Sequence, residues 1–202
     1  MDNDIETVEY RGYTIHIRQD LDTESPRGWD NLGTMTCFHK RYNLGDKQSM
    51  SIKEYQDWLK ENSHNLIILP LFLLDHSGIT IRTVSFNDHW DSGQVGHIYV
   101  SKEKAMKEFD WEVLTNERID KTKDILRQEV DTYDRYLTGS VYGFSIEELV
   151  FEDSCWGYYD KSQAIEDAKV SIESNIRELE LMEFRTICQI LASQILVLSE
   201  SG

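Results

Sequence analysis

From about Ser162 to about Leu198 the chain carries one uninterrupted helical pattern, and its last third has no polar face. Ile165, Ala168, Ile172, Ile176 and Leu179 recur at helical spacing in the first part. Ile187, Ile190, Leu191, Ile195, Leu196, Val197 and Leu198 then cover most of the circumference. A helix that is apolar all round must be buried in something, and this one is far longer than the average of about 11–12 residues. Two outcomes satisfy it. It docks on the protein's own sheet, or it meets a second copy or another partner through Ile187, Ile190, Leu191, Ile195 and Leu198. Insertion at a membrane surface is disfavoured, because no basic face accompanies the apolar one.

Upstream, the pattern is that of an α+β fold, a mixed or antiparallel sheet with packed helices. Tyr13, Ile15 and Ile17 alternate with polar residues, as in a half-buried strand, and Arg11-Gly12 supplies a turn before them. Thr34–Phe38, Leu66–Leu74, Ile79–Val84, Val95–Val100 and Val141–Ile146 read as further strands. Asp75-His76-Ser77-Gly78 is turn chemistry that joins two of them in a hairpin. Ser51-Ile52-Lys53-Glu54 is a capping box and opens a short helix through Glu61; Ser101 caps another to about Phe109. The best-defined helix spans Asn116–Leu137, where Ile119, Leu126, Val130, Tyr133 and Leu137 form one stripe and Gly139 follows as its stop. A length of 202 residues suits one α+β core domain over 1–160 with the long helix, 161–202, as an appendage.

Charge limits the function classes. Lys and Arg total 21 against 37 Asp and Glu, a formal net charge of −16. That argues against nonspecific nucleic-acid binding and against adhesion to anionic lipid. The acids are concentrated. Glu117, Asp120, Asp124, Asp131 and Asp134 share the face of the 116–137 helix opposite its apolar stripe, with Arg127 interrupting the row. Residues 145–183 hold 11 acids against 3 bases, Glu147, Glu148, Glu152 and Asp153 among them. Such faces are either simply solvated or attract a basic protein surface.

No phosphate-binding glycine loop, HExxH or GxSxG occurs, and the three cysteines are widely spaced with no CxxC. The acidic start, Met1–Asp4, does not read as a signal peptide, and no apolar run is long enough to cross a bilayer, so a cytoplasmic protein without a cofactor is expected. Four polar segments fall at expected turns: Trp29–Asn31, Asp75–Gly78, Asp88–Gly93 and Asp153–Gly157. Brought together, Asp75, Asp88 and Asp91 offer ligands for a hard cation, and His76 with an Asp offers an oriented base. The ordinary role of such residues is to cap their own backbone. Cys37 and His39 share a strand face; Cys155 and Cys188 read as buried thiols. Trp29, Trp90 and Trp156 either lid a core or form a stacking pocket.

Several segments together resemble a family of small proteins carried by phages and conjugative elements. They are Trp29–Met35 (WDNLGTM), Cys37-Phe38-His39, Arg41–Asp46 (RYNLGD), Asp75–Ile79 (DHSGI), Trp90–Gly96 (WDSGQVG) with Ile98–Ser101, Tyr136–Gly139, Val141–Gly143 and Asp153–Gly157 (DSCWG). The resemblance covers roughly residues 10–168 and carries over no catalytic residue. It implies a mobile-element origin and an inhibitor of host defence of the anti-CRISPR or anti-restriction kind, without enzymatic activity. The expected partner is then a CRISPR effector or restriction complex, bound on its basic nucleic-acid channel by the acidic faces. The competing expectations are a metal-dependent enzyme or binding module built on Asp75, His76, Asp88 and Asp91, and an adaptor that dimerises through Ile187–Leu198. The stretch from about Lys169 looks particular to this chain.

Overall fold

The computed structural model of the chain describes residues 4–46, 49–87, 90–148 and 151–200, with backbone alone for 193–200. In chain order the elements are strands β1 (Asp4–Tyr10), β2 (Tyr13–Gln19) and β3 (Thr34–Cys37), helix α1 (Ile52–Asn62), and strands β4 (Leu66–Asp75), β5 (Ile79–Arg82) and β6 (Ser92–Ser101). Helices α2 (Lys102–Glu108) and α3 (Asn116–Leu137), strands β7 (Tyr142–Glu148) and β8 (Phe151–Tyr158), and helix α4 (Lys161–Glu200) follow. The fold is α+β, and its two four-stranded sheets, β1-β2-β7-β8 and β3-β6-β4-β5, are antiparallel throughout.

The chain divides into two compact units, residues 1–21 with 141–202, and residues 22–140. The boundary therefore falls elsewhere than the expected residue 160. The reason is long-range pairing: Ile15–Gln19 of β2 lie against Tyr142–Ile146 of β7, so the first hairpin belongs with the last helix.

In the first unit, Arg11 and Gly12 adopt φ of 54° and 84°, the left-handed pair that a tight hairpin between twisted strands requires. Ile15, Ile17, Phe144 and Ile146 face the first part of α4, where Ala164, Ala168 and Ile172 are fully buried. The two alanines let the helix lie close to the sheet. Glu173 on α4 accepts hydrogen bonds from Tyr10 Oη at 2.7 Å and Arg11 Nε at 3.0 Å, which fastens the hairpin to the helix. Segment Asp153–Gly157 is not a turn, as its composition suggests, but the body of β8.

In the second unit, Ile67, Leu69, Leu71 and Leu73 alternate along β4 into a core shared with Met35, Ile98 and Val100 and closed by Leu126, Val130 and Tyr133 of α3. On the opposite face of β6, Tyr55 of α1 meets His97, and Trp58 meets Tyr99 at 5.2 Å. The expected caps are in place. Ser51 and Glu54 form the capping box, Ser101 Oγ accepts from Lys104 N at 3.0 Å, and Gly139 ends α3 at φ 70°.

The connection between β2 and β3 is held by a buried ionic knot. Arg27, only 5% exposed at its side chain, makes two hydrogen bonds to Asp46, at 2.8 and 3.0 Å, and one to Glu129 of α3 at 3.1 Å. Glu129 in turn accepts from the backbone of Leu32 and Gly33, and Asp46 from the backbone of Met35. Gly45, at φ 72°, presses on Met35 so closely that a Cβ would lie 2.6 Å from its carbonyl oxygen. Much of the Trp29–Met35 and Arg41–Asp46 pattern is thus accounted for as architecture.

Candidate functional site

Helix α3 keeps its sides apart. The stripe through Leu126, Val130 and Tyr133 is buried, and Glu117, Asp120, Asp124 and Asp131 are exposed on the far side. They run about 21 Å along the axis at ~1.5 Å per residue. Lys123 lies 3.1 Å from Asp120, and Arg127 lies 2.5 Å from Asp124, so two of the carboxylates carry a cation from their own helix. Asp134 departs from the expected row. Its Oδ1 accepts from Thr80 Oγ1 at 2.5 Å and from the backbone of Ile81 at 2.7 Å. At about 100° per residue Asp134 stands at the margin of the apolar stripe, where it pins β5 to α3 instead of facing solvent.

The acids of the first unit are also sorted by strand alternation. Glu147 and Glu152 are cross-strand neighbours and exposed. Glu148, at the end of β7, is half-buried. Asp153 points to the helix side, where Ser171 of α4 donates to it, so it is a positioning contact between β8 and α4 and not part of an outer acidic surface. On the outer face Arg18 donates to Asp4 at 2.8 Å and to Glu147 at 3.0 Å, and His16 lies 2.6 Å from Asp4. The Arg18 hydrogen bond, aided by His16, holds the Asp4 carboxyl below its ordinary value of 3.8. Arg18 and then Ser145 hold Glu147 below 4.5. The unfolded chain therefore takes up these protons more readily than the folded one. The stabilisation is complete above about pH 4.5 and declines as pH falls through the lower folded-state values. Melting temperatures measured from pH 7 to pH 3 should fall at the acid end, and Arg18→Gln should flatten that fall. An unaltered profile in the variant would remove Arg18 from the account.

The Asp75–Asp91 segments do converge. A groove of about 560 Å³ is lined by Phe38, His39, Arg41, Asp75, Trp90 and Asp91 among others. The Asp75 backbone N–H donates to the Asp91 carbonyl at 2.9 Å, and His76 Nδ1 lies 3.0 Å from the Asp91 carboxylate. Asp75 pairs with Arg41 and accepts from Tyr42 Oη at 3.2 Å, while His39 stacks on the Tyr42 ring at 5.0 Å. Arg41, Tyr42 and His39 are the members that the sequence pattern does not announce. Their clue is the basic, aromatic run His39–Tyr42 just past a strand end. Asp88 lies outside the described residues. Among the described residues, no three His, Cys, Asp or Glu side chains are placed to hold a metal ion. With Asp75 taken up by Arg41 and Tyr42, the groove is a cleft of paired charges beside an exposed indole, Trp90 at 95%.

Cys37 is buried, and burial, with Asp46 adding to it, pushes its thiol up to about 12. His39 lies beyond the end of β3 against Tyr42, so the Cys37–His39 arrangement gives no activated nucleophile. Cys155 and Cys188 are exposed, contrary to expectation. Trp29 and Trp156 are exposed as well, the Trp156 ring lying over Gly143.

The long helix differs in burial along its length. Up to Ile176 it is docked on its own sheet, whereas Leu181, Met182, Phe184, Ile187, Ile190 and Leu191 are all more than half exposed. The side chains of Ile195 and Leu198 lie outside the described residues. Among the described residues, no helix is long and apolar enough to cross a membrane. Comparison with family models, with curated proteins and with solved structures gives no match.

Proposed function

We propose that the protein acts by binding, as a mobile-element-encoded inhibitor that occupies the basic nucleic-acid surface of a bacterial defence complex, of the CRISPR effector or restriction type. The observation that supports this reading most is the sidedness of α3. Its apolar stripe is consumed by the core, and Glu117, Asp120, Asp124 and Asp131 stand on its exposed side in a chain of net charge −16. Carboxylates at these intervals attract a surface built for phosphates, and the attraction acts at long range only where salt does not screen it. The screening length is about 8 Å at physiological ionic strength.

The test uses purified CRISPR effector and restriction complexes, each assayed for nucleic-acid binding with and without the protein. One of them should lose its nucleic acid in competition, and the inhibition should weaken as salt rises. The triple variant Asp120→Lys, Asp124→Lys, Asp131→Lys should raise the inhibitory concentration by about 100-fold, roughly a tenfold loss per 1.4 kcal/mol over two such steps. Inhibition that ignores both salt and charge reversal would sink the acidic-face mechanism. Absence of inhibition across the panel would sink the inhibitor reading itself.

A further inference from the structure

Within α4, Leu181, Phe184, Cys188, Leu191, Ile195 and Leu198 stand 3, 4, 3, 4 and 3 residues apart. That alternation averages 3.5, the spacing of a coiled-coil seam, which puts Leu181, Cys188 and Ile195 at a and Phe184, Leu191 and Leu198 at d. The part of α4 that lies on the sheet follows another rhythm: Ala164, Ala168, Ile172 and Ile176 are each four residues apart. The helix thus changes the surface it is made for near Leu179. Downstream of that point the seam is open, with Leu181 52%, Phe184 65% and Leu191 52% exposed and Cys188 exposed beside them.

We propose that the second part of α4 pairs with the same segment of a second copy of this chain, as a parallel two-stranded coiled coil over Leu181–Leu198. Charge complementarity selects both the occupant and the direction. With Leu181 at a, Glu180 falls at g and Arg185 at the following e. In a parallel pair these two positions face each other across the interface, so two-fold symmetry forms the Glu180–Arg185 contact twice. The later g and e positions, Ile187 with Ala192 and Gln194 with Ser199, place no like charges opposite one another. The last heptad, with Ile at a and Leu at d, is the combination that favours two strands. An antiparallel pairing centred on the seam would set Cys188 against Leu191 and, with e flanking e, Arg185 near Ala192, so Glu180 and Arg185 would not meet. The interface is independent of what α3 binds.

The full chain is tested by sedimentation equilibrium at micromolar concentration, where it should run at twice the mass of one chain. Leu191→Asp should weaken dimerisation by about 100-fold or more, while Ile190→Ser, one residue away at position c, should leave it within a few-fold. Far-ultraviolet circular dichroism checks that both variants keep the fold. Glu180→Lys alone should weaken the dimer, and Glu180→Lys with Arg185→Glu should restore it. In a Cys155→Ser background the azo oxidant diamide, which takes up the two thiol hydrogens, should link Cys188 to Cys188 of the second copy. A monomer at these concentrations, a trimer or larger assembly, or equal loss in Leu191→Asp and Ile190→Ser would overturn the proposal. A dimer that gives no Cys188 cross-link and is not restored by the charge swap would overturn the parallel arrangement.

Discussion

Arg27→Met should cost the protein about 3–5 kcal/mol, the range for removing one partner of a buried ion pair. The Arg27 side chain is 5% exposed and that of Glu129 12%. Burial works against the Arg27 charge, yet the hydrogen bonds and charges of Asp46 and Glu129 outweigh it and raise its pKa above the ordinary arginine value. Met fills the stem volume but takes away the guanidinium that bridges the two carboxylates. Each still orders backbone: Glu129 the amides of Leu32 and Gly33, Asp46 that of Met35. Repulsion between the acids therefore reaches the connection before β3 and the face of α3 together. The urea midpoint should fall, and amide exchange at Leu32, Gly33 and Met35 should accelerate well beyond that at Ile15 or Ile146. Arg27→Lys should lie in between, because an ammonium cannot span Asp46 with two parallel bonds and reach Glu129 and the Gly33 carbonyl as well. A loss within about 0.5 kcal/mol for Arg27→Met, the range of an ordinary surface change, would mean that water reaches the knot.

That knot shows where the sequence stops being legible. Arg27, Asp46 and Glu129 are far apart in the chain, and nothing local marks any of them as buried. What local rules govern reads well. The period of α3, the Ser51–Glu54 box, the Ser101 cap and the apolar run of β4 stand where hydrophobic spacing and capping chemistry put them. Strand β8 does not, because Asp153 and Ser154 are turn formers held extended only by pairing with β7, while Gly157, at φ 86°, sits unpaired at a register shift between the two strands. The same pairing turns Asp153 toward α4, whereas Cys155, on the same face opposite Phe144, is exposed all the same. Asp134 is a matter of angle: one helical position from the stripe, a carboxylate serves a strand backbone instead of solvent. The candidate cation ligands Asp75 and Asp91 do come together, but which side chains claim them depends on Arg41 and His76, whose reach no spacing rule supplies.

Gly96→Ala and Gly93→Ala lie on the same strand and should part sharply. A Cβ at Gly96 would fall 1.8 Å from the Thr36 carbonyl oxygen, 2.9 Å from its carbon and 3.0 Å from the Cys37 Cα. All three atoms are backbone, so no rotamer relieves the contact, and β3 must withdraw from β6. The register there, Thr36 against His97 and Cys37 against Gly96, holds Met35 at 0% exposure in the core. Met35 is also where Asp46 bonds, so the displacement pulls on the Arg27 knot. The expected loss is about 3 kcal/mol, the upper end for overpacking a well-filled core. At Gly93 nothing lies within 4 Å of the added carbon. Alanine there restricts the unfolded chain without a clash and should be neutral or stabilise by up to about 1 kcal/mol. Equilibrium unfolding in urea, with the slope compared between variants, separates the two effects from a change in the unfolded state. If Gly96→Ala were as stable as Gly93→Ala, Cys37 of β3 would not lie opposite Gly96 of β6. The position of Asp46, and with it the whole Arg27 knot, would then need another explanation.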